Sequence, residues 1–150
     1  MKNRLEEIIY ETIPLARATQ LKIGELSHNS INILAPVAEI NSNIHNTAFA
    51  GSIYSICALS AWGLMHSRLL GEEVDAEVVI AKAEIKYRLP VINEISTKCL
   101  LNEEDYLEFK EKLLENTRAR ISLNVEVQEG EQSQAQMQAD VAVILLTKKT

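Results

Sequence analysis

Polar side chains and a glycine gather just ahead of a long uncharged segment, in the run Asn43-Ile44-His45-Asn46-Thr47-Ala48-Phe49-Ala50-Gly51-Ser52. If that segment is a helix, its first backbone N–H groups have no acceptor within the helix, and the helix dipole favours negative charge there. A developing oxyanion would be stabilised at such a tip. Gly51 has no Cβ and so lets a carbonyl come close to the backbone, while Asn43 or His45 can bind or position a water nearby. The same residues also have plainer roles. His45 can satisfy nearby loop backbone, Asn43 can make an Asx turn or a helix cap, and Gly51 can allow tight packing against a strand. Tyr54 and Ser55, one turn further on, either line a pocket or pack in the core.

The rest of the composition excludes several kinds of chemistry. Fifteen Lys and Arg against twenty-one Asp and Glu give a net charge of −6, so no global field draws the chain to nucleic acid or anionic lipid. Cys57 and Cys99 lie in apolar stretches. No cation is near Cys57 in sequence to favour a thiolate, and no Cys/His cluster has zinc-ligand spacing. We therefore expect no metal and no cofactor. The five glycines are scattered and form no pyrophosphate-binding loop. Lys82, Lys86 and Arg88 can meet the phosphates of a nucleotide carrier, or simply form a solvated strand face.

The elements that must position the run are legible from periodicity. With 150 residues, 47% of them hydrophobic and 24% charged, the chain suits one domain, residues 1–150, with a sizeable core. Asn3 followed by Glu6 resembles a capping pair for a helix carrying Leu5, Ile8, Ile9 and Thr12, which Pro14 interrupts. Alternation at Leu21 and Ile23, a turn at Ser27-His28-Asn29-Ser30, and alternation at Ile31, Ile33 and Ala35 predict two antiparallel strands. Pro36 closes that pair, and a polar loop over 41–46 leads into a helix from about Thr47 to Leu70, with Gly71 placed to end it.

No Asp, Glu, Lys or Arg occurs from Ile40 to Ser67, and the stretch Ala48 to Met65 is near the lower length limit of about 17 residues for a membrane span. Its serines and the absence of aromatic and basic belts argue instead for a helix enclosed by other elements. Downstream, apolar odd positions from Val79 to Leu89 predict a long strand with one wet face. Ile95–Leu101 reads as a strand, and Asn102 as the cap of a helix burying Tyr106, Phe109 and Leu113. Ile121–Val127 and Met137–Leu145 form a hairpin through Gly130. Only the uncharged helix lacks a polar side, so the sheet should wrap it. Lys2 and Arg4 precede no apolar signal core, and a cytoplasmic location is expected.

The run Asn43-x-His45-x-Thr47-x-Phe49-x-Gly51-Ser52, the following Ala58-Leu59-Ser60-Ala61-Trp62-Gly63, and the strand Ala83-Glu84-Ile85-Lys86-Tyr87-Arg88-Leu89-Pro90 resemble the thioesterases of the hotdog superfamily. This family also occurs as the C-terminal half of some bacterial GNAT-type acetyltransferase fusions. The resemblance spans nearly the whole chain. It implies an α+β hotdog fold, a curved antiparallel sheet around a long central helix, and a homodimer or dimer of dimers joined edge to edge. It further implies hydrolysis of an acyl-CoA or acyl-carrier-protein thioester, with the acyl group held between two subunits.

On that basis the expected catalytic groups are Asn43, His45 and the backbone amides of Ala50 and Gly51. Thr47, Phe49, Ser52, Tyr54 and Ser55 are the expected substrate-binding residues. Two departures stand out. Matching Phe49-Ala50-Gly51 to the family's common His-Gly-Gly puts Ala58 where an Asp or Glu usually serves as base, and Asn46 replaces an expected loop glycine. The base could then be His45, a water held by Asn43, or a carboxylate such as Asp140 or Glu77 from elsewhere in a dimer. The alternatives to a hydrolase are a module that holds an acyl group or acyl carrier without turnover and, further off, an enoyl-thioester hydratase.

Overall fold

The computed structural model describes residues 1–146, so residues 147–150 of the expected domain lie outside it. Its centre is the helix that has no polar side. This helix, α3, runs Ala50–Gly71, and residues around most of its circumference are buried, among them Ile53, Ile56, Cys57, Ser60, Ala61, Leu64 and Met65, with Ser55, Leu59, Trp62 and His66 forming a partly buried stripe. Each large apolar side chain removed from water there contributes about 1.5–3 kcal/mol, so the helix is stable only where something surrounds it. Small residues let the surroundings come close. A Cβ on Gly63 would stand 3.4 Å from both Ile31 and Leu5 side chains.

The surroundings are one six-stranded antiparallel sheet: β1 (Lys22–Leu26), β2 (Ser30–Pro36), β3 (Ala76–Tyr87), β4 (Glu94–Leu100), β5 (Arg118–Glu129) and β6 (Gln132–Leu145), in the spatial order β1-β2-β4-β5-β6-β3. Helix α1 (Lys2–Thr12) buries Leu5 and Ile9, and α4 (Glu103–Asn116) buries Tyr106, Phe109 and Leu113. As expected, Asn102 caps α4, its Oδ1 accepting from Asp105 N at 3.0 Å. The β5–β6 hairpin turns at Gly130, which has φ +63.

Two local expectations fail, the N-terminal cap and the strict alternation of β3, while the interruption of the first helix ahead of Pro14 is as expected. Asn3 and Glu6 make no cap, since the first helical residue follows Met1 and Glu6 Oε2 accepts from Ile23 N at 3.0 Å. Pro14 opens a further short helix, α2 (Pro14–Ala18), where its missing N–H costs nothing. The strict alternation of β3 is broken by a bulge between Ile80 and Lys82. Val78 and Ile80 therefore turn inward before the bulge and Ala83 and Ile85 after it, while Val79 and Ala81 are exposed.

The C-terminal end of α3 is tied to its neighbours by one polar cluster. Arg68, buried, lies 3.9 Å over the Tyr106 ring and donates to His28 O, Asn29 Oδ1, Glu72 and Glu103. Glu72 also accepts from Tyr106 and, at 2.7 Å, from Lys110. Burial alone pushes the Glu72 carboxyl up. The hydrogen bonds from Lys110 and Tyr106 and the charges of Lys110 and Arg68 outweigh this and hold it below the usual range. A carboxylate depressed on folding stabilises the native state above its ordinary pKa of about 4.3, and that contribution disappears as pH falls through the lower folded value. Urea unfolding from pH 6 down to 3 should show wild type losing stability across that range. Glu72→Gln should be less stable at pH 6 and lose less on acidification; equal slopes would contradict the assignment.

Candidate active site

The N-terminal end of α3 is built by a loop that one asparagine closes. Asn43 N donates to Thr47 O at 2.9 Å, and Asn43 Oδ1 accepts from the backbone N–H of His45 (2.9 Å) and Thr47 (3.2 Å). Asn43 Nδ2 donates to Thr47 Oγ1 at 2.9 Å and to Ala48 O at 3.2 Å. Asn46 sits at φ +59, in the left-handed region that asparagine tolerates better than most residues. The turn that glycine would make is thus kept.

The chain then docks against distant backbone. Ala48 N donates to Val91 O and Phe49 N to Asn41 O, both at 2.7 Å, and Ser42 bridges Ala48. These bonds hold Ala48 in a bridge and Phe49 extended, so α3 starts at Ala50 rather than near Thr47, with Phe49 as its N-cap. Asn41 anchors the docking from below. It is buried, and its Nδ2 donates to Thr19 O and Pro36 O at 2.8 and 2.9 Å.

Ser52 and Ile53 N–H groups find Phe49 O, but among the described residues nothing accepts from Ala50 N–H or Gly51 N–H. These are the free donors a helix start leaves. Ala50 lines an open groove of about 310 Å³, and Gly51 directly follows it beside that groove. Asn43, Thr47 and Ala50 form one wall, Tyr87, Leu89 and Val91 the other, and Ile53 lies among the lining residues. Tyr87 Oη donates to Ala50 O at 2.9 Å, tying the end of β3 to the first helical turn. Burial, followed by the neighbouring Cys57 and Tyr54, raises its pKa, so Tyr87 stays a phenol and a donor.

The sequence-derived residues do not all converge on this groove. Asn43, Thr47 and Ala50 line it. Gly51 is tight for a local reason, since a Cβ there would lie 2.4 Å from the Phe49 ring, which rests over it. His45 is exposed, is not among the lining residues, and uses its backbone N–H in closing the loop. Ser52 is buried, and Ser55 Oγ donates to Gly51 O at 2.9 Å. Tyr54 is 38% exposed. Asp140 faces Lys82 across the β3–β6 ladder, and Glu77 is exposed near the start of β3.

The second wall, Tyr87, Leu89 and Val91, was not singled out from sequence. The sequence signals there were that apolar residues continue at odd positions past the end of the strand and that Tyr87 and Leu89 belong to the segment carrying the family resemblance. Around the groove, Phe49, Tyr87, Leu89 and Ile92 are each roughly half exposed or more, and Ile44 is almost fully exposed at 92%. Cys57 is buried with its thiol pushed up to about 12 by burial and by Cys99 and Glu126, which keeps it from acting as a nucleophile. Among the described residues no group of His, Cys, Asp and Glu could hold a metal ion, and no helix is long and apolar enough to cross a membrane.

A family model described as "putative thioesterase (yiiD C-terminal)" matches residues 2–144. The "putative thioesterase from Shewanella oneidensis" superposes with a TM-score of 0.85 at 28% identity, covering 95% of this chain and 96% of that one. A protein of unknown function from Chlorobaculum tepidum gives 0.91 at 22% identity over 97% and 94%. A Pseudomonas aeruginosa protein called a probable thioesterase gives 0.85 at 16% identity over 97% of both. The fold is an α+β hotdog, the sheet wrapped around its helix as the resemblance implied.

The loop makes a prediction of its own. Asn43→Ala removes the acceptor for two amides and should cost about 1–2 kcal/mol. Hydrogen exchange should show the His45 and Thr47 amides losing protection in Asn43→Ala and keeping it in His45→Ala. Unchanged protection in Asn43→Ala would refute this account of the loop.

Proposed function

The chain belongs to the thioesterase family whose model spans residues 2–144, and on that premise we propose that it hydrolyses acyl thioesters at the tip of α3. The observation that carries the reading is the pair of acceptor-free amides, Ala50 N–H and Gly51 N–H, at the edge of an apolar-rimmed groove. Water adds to the thioester carbonyl carbon and the oxygen becomes an anion, which the two amides and the helix dipole stabilise. Collapse of the tetrahedral species breaks the C–S bond, and the proton given up by water ends on the departing sulfur. Two preorganised donors of this kind are each worth about 10²–10³ in kcat.

Asn43 acts here by fixing the loop, and Thr47, Phe49 and Tyr87 bound the acyl group, with Ser52, Tyr54 and Ser55 shaping the first turns behind them. The proton acceptor is Glu77 of a second copy across an edge-to-edge dimer or, acting through an intervening water because it stands outside the groove, His45. The dimer is supported by β3, an edge strand of the sheet that exposes Val79 at 48%. The thioester is carried on coenzyme A or on acyl-carrier protein, in a cytoplasmic setting. Ala58 supports a second reading, an acyl or acyl-carrier binding module without turnover, because α3 then carries no carboxylate at the family's usual position.

The test is release of free thiol from acyl-CoAs of graded chain length by purified protein that sediments as a dimer. The hydrolase reading expects turnover, reduced at least tenfold by His45→Ala or by Glu77→Gln according to which group takes the proton. Saturable binding with no thiol release would establish the binding module instead, and neither binding nor turnover would sink both.

A further inference from the structure

The cations on the outer face of β3 are not all neutralised. Lys82 stands opposite Asp140 in the ladder and forms an ion pair with Glu84 at 3.7 Å. Lys86 and Arg88, further along the same face by strand alternation, meet neutral groups instead. Lys86 stands opposite Gln136, and Arg88 donates from Nη2 to Gln136 Oε1 at 3.1 Å. Among the described residues neither enters an ion pair.

The nearby carboxylates are engaged elsewhere. Glu126, beyond Gln136, accepts from Ser133 and faces Lys98 in the ladder, and Glu129 accepts from Asn93 and Gln134. A chain of net charge −6 therefore holds two uncompensated cations at one end of β3. That end is also where Arg88 borders the groove at the tip of α3.

We propose that Lys86 and Arg88 form a phosphate subsite for the carrier arm of the thioester, taking the phosphate of a phosphopantetheine group. This deepens the thioester reading and rests on it. A thioester on such an arm has its carbonyl at one end and a phosphate as the first anionic group behind the sulfur. The arm then runs from the amides of Ala50 and Gly51 over the groove's rim to the outer face of β3. The guanidinium keeps donors beyond the one given to Gln136, in a fork that matches phosphate oxygens, and Lys86 adds a point charge beside it. Both coenzyme A and a carrier protein present this group.

Calorimetric titration of wild type and Lys86→Gln/Arg88→Gln with pantetheine and with 4′-phosphopantetheine tests the subsite. Wild type should bind the phosphorylated arm about tenfold more tightly, as one charge-assisted contact allows. The double variant should lose that difference while its pantetheine affinity changes less than twofold. Parallel titrations with coenzyme A and with a holo-carrier protein identify the source by which of them loses affinity in the variant. Persistence of the phosphate preference in the double variant, or its absence in wild type, overturns the proposal. Because binding is read rather than turnover, a protein that selects phosphate yet releases no thiol would keep this subsite and reject hydrolysis. One that releases thiol with no phosphate preference would do the reverse.

Discussion

A helix with no polar side must be enclosed, and once enclosed its backbone can meet polar partners only at its two ends. Everything distinctive about this protein follows from how α3 satisfies that constraint. Along its length the sheet removes Ile53, Ile56, Leu64 and Met65 from water, which drives folding. The small residues Ala61 and Gly63 let β2 and α1 approach closely enough to leave no gap.

The two ends are treated in opposite ways. At the C-terminal end, Arg68 and Glu72 saturate their surroundings, binding the β1–β2 turn and α4 into one polar cluster. At the N-terminal end the bonds stop short. The loop spends Asn43, Ala48 N–H and Phe49 N–H on holding itself in place, and this leaves Ala50 and Gly51 N–H with no acceptor at the helix start beside the groove. A rigid frame around unsatisfied donors is the condition under which such donors stabilise charge appearing in a reaction, because no reorganisation is needed at that moment. The exposed apolar rim suits a partner that is largely hydrocarbon.

The sequence made legible whatever depends on neighbours within a turn or two. The uncharged helix, the cap at Asn102, the Gly130 hairpin and the two-residue alternation of most strands all have local causes. The run Asn43–Ser52 likewise announced a polar loop meeting a helix start. What stayed hidden depends on partners far along the chain. The start of α3 moves to Ala50 because Val91 captures Ala48, and the Asn3–Glu6 cap is lost because Ile23 takes Glu6. The β3 bulge disappears into a run of apolar residues, Val78-Val79-Ile80-Ala81, that fits either phase. The groove's second wall could not be read at all, since no local pattern says that Tyr87 ends against Ala50. Asn43 emerged as the loop's organiser, while His45 stands outside the groove.

If the free amides at the tip of α3 do the chemistry, deleting one of them without touching a side chain's function must slow the reaction. Ala50 is the first helical residue, where proline is well accepted, and Phe49 before it has ψ 134, the extended conformation a following proline prefers. Ala50→Pro thus removes one N–H while the helix and the loop remain. With an acyl-CoA that wild type turns over, the account predicts a kcat lower by about 10²–10³ at little-changed KM and melting temperature. A variant that keeps its fold and its full kcat would contradict it.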